Sequence, residues 1–300
     1  MEVPVIDCDP ATRSDADVAR DIDAALRNVG FMAVRNLGVS PDRIRELFAT
    51  ARQFFEGSDE LKQRCAYAAA SENFGYQGLG QESLDPSRPA DLKETFTMRN
   101  LLAESVGANR WPSAEFSESV SVFFREALAA AQRLQRLLAL ALEMPSEYFV
   151  DLHNGENITL RLLHYPAVSS SMVNAEQMGA GAHTDYGMLT LLFQDAVGGL
   201  QVQSENGDWH DVPPRPDAIV INSGDLLERW SNGRYRSTLH RVLPQQRSVE
   251  RYSVALFVDP DSDTLVEALD SCVTEGEPAR FPPITAGEHV QAKIEATHHA

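Results

Sequence analysis

Apolar residues recur at helical spacing in the first part of the chain and at strand spacing from Asn157 onward. Val3 to Ile6 reads as a short strand, and Val18, Ile22, Ala25, Leu26 and Val29 mark a helix from Asp15 to Val29. Gly30 ends that helix before Phe31-Met32-Ala33-Val34 resumes as a strand. Ser40 as N-cap and Pro41 at the first helical position open a second helix, through Ile44, Leu47, Phe48 and Ala51 to about Phe55. Residues 73–99 are polar, glycine-rich and irregular, with a strand-like Glu94-Thr95-Phe96-Thr97-Met98 near their end. Loops of that length in compact domains are often functional. The main helix runs from Glu115 to Glu143, and Phe123, Leu128, Leu134, Leu137, Leu138 and Leu142 form its core stripe.

Beyond Asn157 the apolar runs shorten. Ile158–Tyr165, Met188–Phe193, Gly199–Gln203, Ala218–Asn222, Tyr235–Val242 and Tyr252–Val258 are separated by turn residues such as Gly198-Gly199, Pro213-Pro214 and Asn232-Gly233. That rhythm predicts a β-sandwich or jelly roll. The fold class is therefore α+β: an N-terminal α/β region over 1–115, then a long helix and β-rich core over 116–300. The two are expected to pack as one compact unit, without repeats or a low-complexity linker.

Composition narrows the partners. With 44 acidic against 26 basic side chains and a net charge of −18, the surface repels nucleic-acid phosphates and anionic membranes. No apolar run approaches the roughly 18 residues that a membrane span needs. The N-terminal residues lack the basic and apolar regions of a signal peptide. Cys8, Cys65 and Cys272 are few, odd in number and far apart, as expected of reduced thiols. A cytoplasmic protein is the expectation, with neither nucleic acid nor membrane as partner; the oligomeric state is not legible.

Three residues carry the chemistry. His183-Thr184-Asp185 puts an imidazole and a carboxylate at i and i+2, on one face of an extended strand. His240, in Ser-Thr-Leu-His-Arg-Val, can complete the set from another strand. Two histidines and a carboxylate with open coordination positions is the donor set of non-haem Fe(II) oxygenases. A short His-x-Asp match is common, and His153, His164, His210 and His289 compete for the third position. His164 is the second choice, although its neighbour Tyr165 means that the two face opposite sides of a strand. Arg251 and Ser253 again stand at i and i+2, where a guanidinium and a hydroxyl can hold a carboxylate.

The runs GAHTDYGMLTLLFQDAVGGLQV, GDLLERWSNGRYRSTLHRV and ERYSVALFVDP resemble the isopenicillin N synthase-like group of Fe(II)/2-oxoglutarate oxygenases. GFMAVRNLGV, ENFGY, DLKETF and FPPITAGEHVQAKIEATH extend the likeness over nearly the whole chain. The resemblance implies a double-stranded β-helix (jelly-roll) core with flanking helices. It implies His183, Asp185 and His240 as iron ligands, and Arg251, Ser253 and Tyr165 around the distal carboxylate of 2-oxoglutarate. Many plant members carry Asn where Leu163 stands here, so that contact is absent or replaced. The carboxylate at Asp185 implies hydroxylation-type chemistry rather than halogenation.

The activity so implied uses Fe(II), 2-oxoglutarate and O2. It hydroxylates, desaturates or cyclises a small molecule of secondary or amino-acid-related metabolism and releases succinate and CO2. Phe74, Tyr76 and Phe96 in the 73–99 region, with Phe257 and Phe281, are the candidate pocket walls. Glu228, Arg229 and Trp230 are expected to build the turn leading to His240, and His298 and His299 a solvated tail. Two alternatives remain. In one, Arg251 and Ser253 bind the substrate's own carboxylate and 2-oxoglutarate is not needed. In the other, the chain is a cupin-like metal protein or a non-catalytic binding protein.

Overall fold

Two main β-sheets, flanked by helices, dominate the described part of the molecule. The computed structural model describes residues 1–68, 73–85, 87–102, 110–167, 176–244 and 249–298. The larger sheet has the order β1 (Val5–Asp7), β2 (Phe31–Arg35), β10 (Ile219–Ser223), β7 (Leu189–Gln194), β12 (Arg251–Val258), β5 (Ile158–Tyr165), β4 (Glu94–Arg99), β3 (Phe74–Gln77). The smaller has the order β6 (Ala180–His183), β11 (His240–Val242), β8 (Leu200–Gln203), β9 (Trp209–Asp211). A short pair, β13 (Leu265–Val266) with β14 (Ile284–Thr285), stands apart. This is the jelly-roll core expected from the sequence. Strands from 1–115 lie in the same sheet as strands from 116–300.

The helices are α1 (Asp15–Asn28), α2 (Pro41–Phe55), α3 (Asp59–Arg64), α4 (Ala114–Ala141), α5 (Asp225–Trp230) and α6 (Ala286–His298). The Ser113 hydroxyl caps α4 by accepting from the Phe116 N–H at 3.1 Å. Helix α4 buries the stripe that its periodicity predicts, and its Phe123 meets Phe193 of β7 edge-on at 5.0 Å.

The parity of the strands decides what each face of the large sheet does. Residues directly opposite one another on neighbouring strands share a face. Phe96 stands opposite Leu162, and Leu162 opposite Val254; all three turn outward into the main core beneath the helices. Thr95 stands opposite Leu163, and Leu163 opposite Ser253; these turn inward, between the two sheets.

Three local expectations change. Glu228, Arg229 and Trp230 belong to the helical turn α5 rather than to a simple turn. The predicted strand from Tyr235 is paired only from His240 to Val242, because residues 235–238 spend their polar groups elsewhere. The backbone N–H groups of Tyr235, Arg236 and Ser237 bond Ser231 Oγ, the Leu26 carbonyl and Glu228 Oε1. The 73–99 region contributes β3 as well as β4. His298 closes α6, and His299 lies outside the described residues.

Candidate active site

The pairing of β6 with β11 sets His183 opposite His240, at one end of the smaller sheet. The two rings lie 4.2 Å apart between centroids. Asp185 is not on the strand: β6 ends at His183, and the carboxylate returns to the histidines through the following turn. Strand alternation is therefore not what brings it there. Its Oδ2 accepts from the Thr190 hydroxyl and, at 2.7 Å, from the Asn222 amide, two inward-facing groups of β7 and β10. Its Oδ1 faces His183 Nε2 at 3.8 Å and His240 Nε2 at 3.6 Å.

Each imidazole is fixed by a backbone carbonyl two residues earlier. His183 Nδ1 bonds the Gly181 carbonyl at 2.7 Å, and His240 Nδ1 bonds the Thr238 carbonyl at 3.0 Å. A proton on Nδ1 leaves the Nε2 lone pair free for a cation. Burial, with His240 alongside, pushes His183 well below the usual histidine range, so the ring is neutral. Burial raises the Asp185 carboxyl, but His240, His183, Thr190 and Asn222 outweigh it and hold it ionised. One donor atom from each of the three residues lies within 4.8 Å of the other two. Two ligands each about 2.1 Å from a metal ion stand no more than roughly 4.2 Å apart, and the separations of 3.8 and 3.6 Å between Asp185 Oδ1 and the two imidazoles lie within that span.

The turn after Asp185 is tightly built. A Cβ at Gly187 would lie 1.5 Å from the Asp259 carboxylate, so only glycine fits there. Burial, with Asp185 nearby, pushes the Asp259 carboxyl up to about 7. Asp225 N–H bonds the Asp185 carbonyl at 2.9 Å, which ties α5 to this turn.

Deeper on the inner face, Arg251 is fully buried. It donates to Ser253 Oγ at 3.2 Å and to Gln194 Oε1 at 2.9 Å, and its guanidinium lies 4.6 Å over the Tyr165 ring. All these partners are uncharged. Arg251 Nε and Gln194 Nε2 are buried without a hydrogen-bond partner among the described residues. A buried cation with spare donors and no counter-charge is matched by an anionic ligand. The distal carboxylate of a keto diacid fits.

The other candidates divide by face. Phe74, Tyr76 and Phe96 are not pocket walls: they point outward, where Phe54 meets Tyr76 at 5.9 Å and Phe96 at 5.0 Å, and Phe74 meets Phe96 at 5.6 Å. Phe281 lies under the Arg229 guanidinium, outside the sheets. Phe257 has the inward parity of Arg251 and Ser253 and is half-buried. The competing histidines go elsewhere. His164 points outward to Glu94 and stacks on Tyr252, His153 bonds the Phe149 carbonyl, His289 faces Asp225, and His210 neighbours the Met1 amine.

Sequence reasoning missed Thr190, Asn222 and Gln194, although each is a polar residue at inward parity in an otherwise apolar strand. It also missed a buried charged group formed by Glu82, Asp91, Lys93 and Arg161, spread over three segments.

Residues 157–260 match the family model of the 2OG-Fe(II) oxygenase superfamily, and residues 3–114 match that of the non-haem dioxygenase in morphine synthesis N-terminal region. A homoarginine-6-hydroxylase of Glycine max is 34% identical, over 97% of this chain and 96% of its own length. The chain belongs to the 2OG-Fe(II) oxygenase superfamily. A 2-oxoglutarate-Fe(II) type oxidoreductase of Aspergillus fumigatus is 32% identical, over 95% of this chain and 89% of its own length. Among solved structures, a full-length Neurospora crassa protein in complex with alpha-KG superposes with a TM-score of 0.87 at 32% identity, covering 98% of this chain and 96% of that one. The same protein is also solved with alpha-KG and thymine together. The chain is thus a non-haem oxygenase that uses Fe(II), 2-oxoglutarate and O2. No helix among the described residues is long and apolar enough to cross a membrane.

Proposed function

We propose that His183, Asp185 and His240 hold the ferrous ion of this oxygenase and that Arg251, Ser253 and Tyr165 hold its 2-oxoglutarate. The observation that carries this reading is the pairing of a facial two-histidine, one-carboxylate set with a buried, uncompensated arginine on the same inner face. Bound iron supplies the reaction with O2 that couples decarboxylation of the keto acid, to succinate and CO2, with oxidation of a substrate C–H bond.

The protein's own part is positional. The Gly181 and Thr238 carbonyls orient the two imidazoles, while Thr190 and Asn222 orient the carboxylate. Arg251 and Ser253 fix the far end of the diacid by charge-assisted hydrogen bonds, and Tyr165 supports the guanidinium from below. The apolar inner residues Leu163, Leu192, Val220 and Ala255 keep that end dry. The substrate is a small molecule, and three buried free thiols suit a reducing, cytoplasmic setting.

Succinate release and O2 uptake, measured with Fe(II) and with or without 2-oxoglutarate, test the reading. Turnover should need both and should vanish in His183→Ala. Turnover indifferent to 2-oxoglutarate sinks the role given to Arg251 and Ser253. Full activity in His183→Ala sinks the metal centre.

A further inference from the structure

Resting on that reading, we propose that the Glu82–Arg161 pair recognises the substrate, and that the substrate presents an uncharged polar edge, a carbonyl beside an N–H, as in an amide, lactam or imide.

Arg161 stands on β5 opposite Ala255 of β12 and Thr97 of β4, so it faces inward with the residues that anchor the cosubstrate. Its guanidinium pairs with Glu82 and donates to Thr95 Oγ1 at 3.2 Å. Glu82 Oε2 lies 3.5 Å from Lys93 Nζ, and Lys93 lies 2.7 Å from Asp91. Asp91 in turn accepts the Gly181 N–H at 2.9 Å. Gly181 is the residue whose carbonyl orients His183, so the charged group is built onto the metal-bearing strand. None of the four charged side chains belongs to the sets assigned above to the iron and the keto acid.

Two observations give the wall its chemistry. Arg161 Nε and Thr97 Oγ1 are buried with no hydrogen-bond partner among the described residues, although a buried polar atom is costly to leave unpaired. A ligand carbonyl satisfies the first, and a ligand N–H or O–H can use the second or the Glu82 carboxylate. Burial raises that carboxyl, but Arg161 and Lys93 outweigh it and hold it below the usual glutamate range, so it stays an acceptor.

The second observation is charge. Lys93 and Arg161 formally cancel Asp91 and Glu82, in side chains only 1–23% exposed. An anionic or cationic ligand would bring an unbalanced charge into this low-dielectric wall, whereas a neutral one leaves the balance intact.

Anaerobic calorimetry of the Fe(II)- and 2-oxoglutarate-loaded enzyme tests this with four probes: thymine (a neutral imide), 2-piperidone (a neutral lactam), phenylacetate and homoarginine. At least one neutral probe should bind about tenfold tighter than either charged probe. Glu82→Gln makes the wall net positive and should shift the preference toward phenylacetate by about tenfold. Arg161→Lys keeps the charge but loses the Nε donor and should weaken the neutral probe about tenfold. The proposal is overturned if a charged probe binds most tightly, or if neither neutral probe binds at millimolar concentration. It is also overturned if both variants keep the wild-type order of probes. Should Glu82→Gln fail to fold by circular dichroism, Arg161→Lys decides. Fe(II)-dependent succinate release by the wild-type enzyme without any probe tests the preceding reading separately.

Discussion

The two faces of the eight-stranded sheet are built from the same strands and have opposite chemistry. The outward face carries Met32, Val34, Leu191, Phe193, Leu160, Leu162, Phe96 and Met98, packed beneath the helices. Its main polar exception, Glu94, is satisfied in place by Tyr76 at 2.6 Å, His164 at 3.0 Å and Lys62 at 3.3 Å. The inward face carries Arg251, Ser253, Gln194, Thr190, Asn222 and Arg161, several with spare hydrogen-bonding atoms. The outward side has spare atoms too, on His153 and His164, but its carboxylate Glu94 is partnered on both oxygens. The inward face leaves buried guanidinium and amide donors of Arg251, Arg161 and Gln194 unused among the described residues, as suits a face that receives a polar ligand.

Substitutions should separate along that division. The largest effect on folding belongs to the outward face: Phe96→Ala empties a site ringed by Phe54, Phe74 and Phe116 and should cost about 3–5 kcal/mol. Thermal or urea unfolding measures it, while the order in which ligands bind should not change. A change in ligand order without loss of stability would erase the distinction between the faces.

Arg251→Met should act the other way round. If Arg251 anchors the keto acid as proposed, the 2-oxoglutarate KM should rise about 10- to 100-fold. The substitution also removes a buried cation whose partners among the described residues are all uncharged, so the ligand-free protein should unfold at an unchanged or higher temperature. A clear loss of stability with an unchanged KM would make Arg251 structural. Asn222→Ala should be milder: with one of its two side-chain partners gone, Asp185 should lose about 10-fold in Fe(II) affinity, measured by anaerobic titration.

How much of this the chain discloses before folding depends on which pattern carries it. His183, Asp185 and His240, and Arg251 with Ser253, are short local signatures, and the structure brings the members of each group together. Helix α4 was legible because its stripe is long and its cap is local. The geometry behind Asp185 was not: alternation was the expected reason for its meeting His183, but the turn, Thr190 and Asn222 bring it there. Among the candidate pocket walls Phe257 has inward parity, whereas Phe96 misses it by one position. In β4 the inward set is Thr95 and Thr97, while the conspicuous Phe96 and Met98 lie outward. Hydrophobic periodicity fixes that a strand has two faces, but which face meets the ligand follows from pairing partners more than sixty residues away.

The smallest expected effect tests the outward face by pH. His153 donates from Nδ1 to the Phe149 carbonyl at 2.5 Å, and its Nε2 is buried without a partner. Burial lowers its pKa from 6.5 to about 4. The folded state therefore favours the neutral ring, and the unfolded chain takes up the proton first as pH falls. The associated stability is complete above about pH 6.5 and is lost progressively as pH falls toward 4. At about 1.4 kcal/mol per pH unit within that window, the loss should reach roughly 1–2 kcal/mol by pH 5. Neighbouring carboxylates begin to titrate in the same range, so the quantity to measure is the difference between wild type and His153→Gln. Their unfolding curves should converge as pH drops from 7 to 5. A constant gap would mean that His153 is hydrated in the folded protein and that the outward face is less dry than its packing indicates.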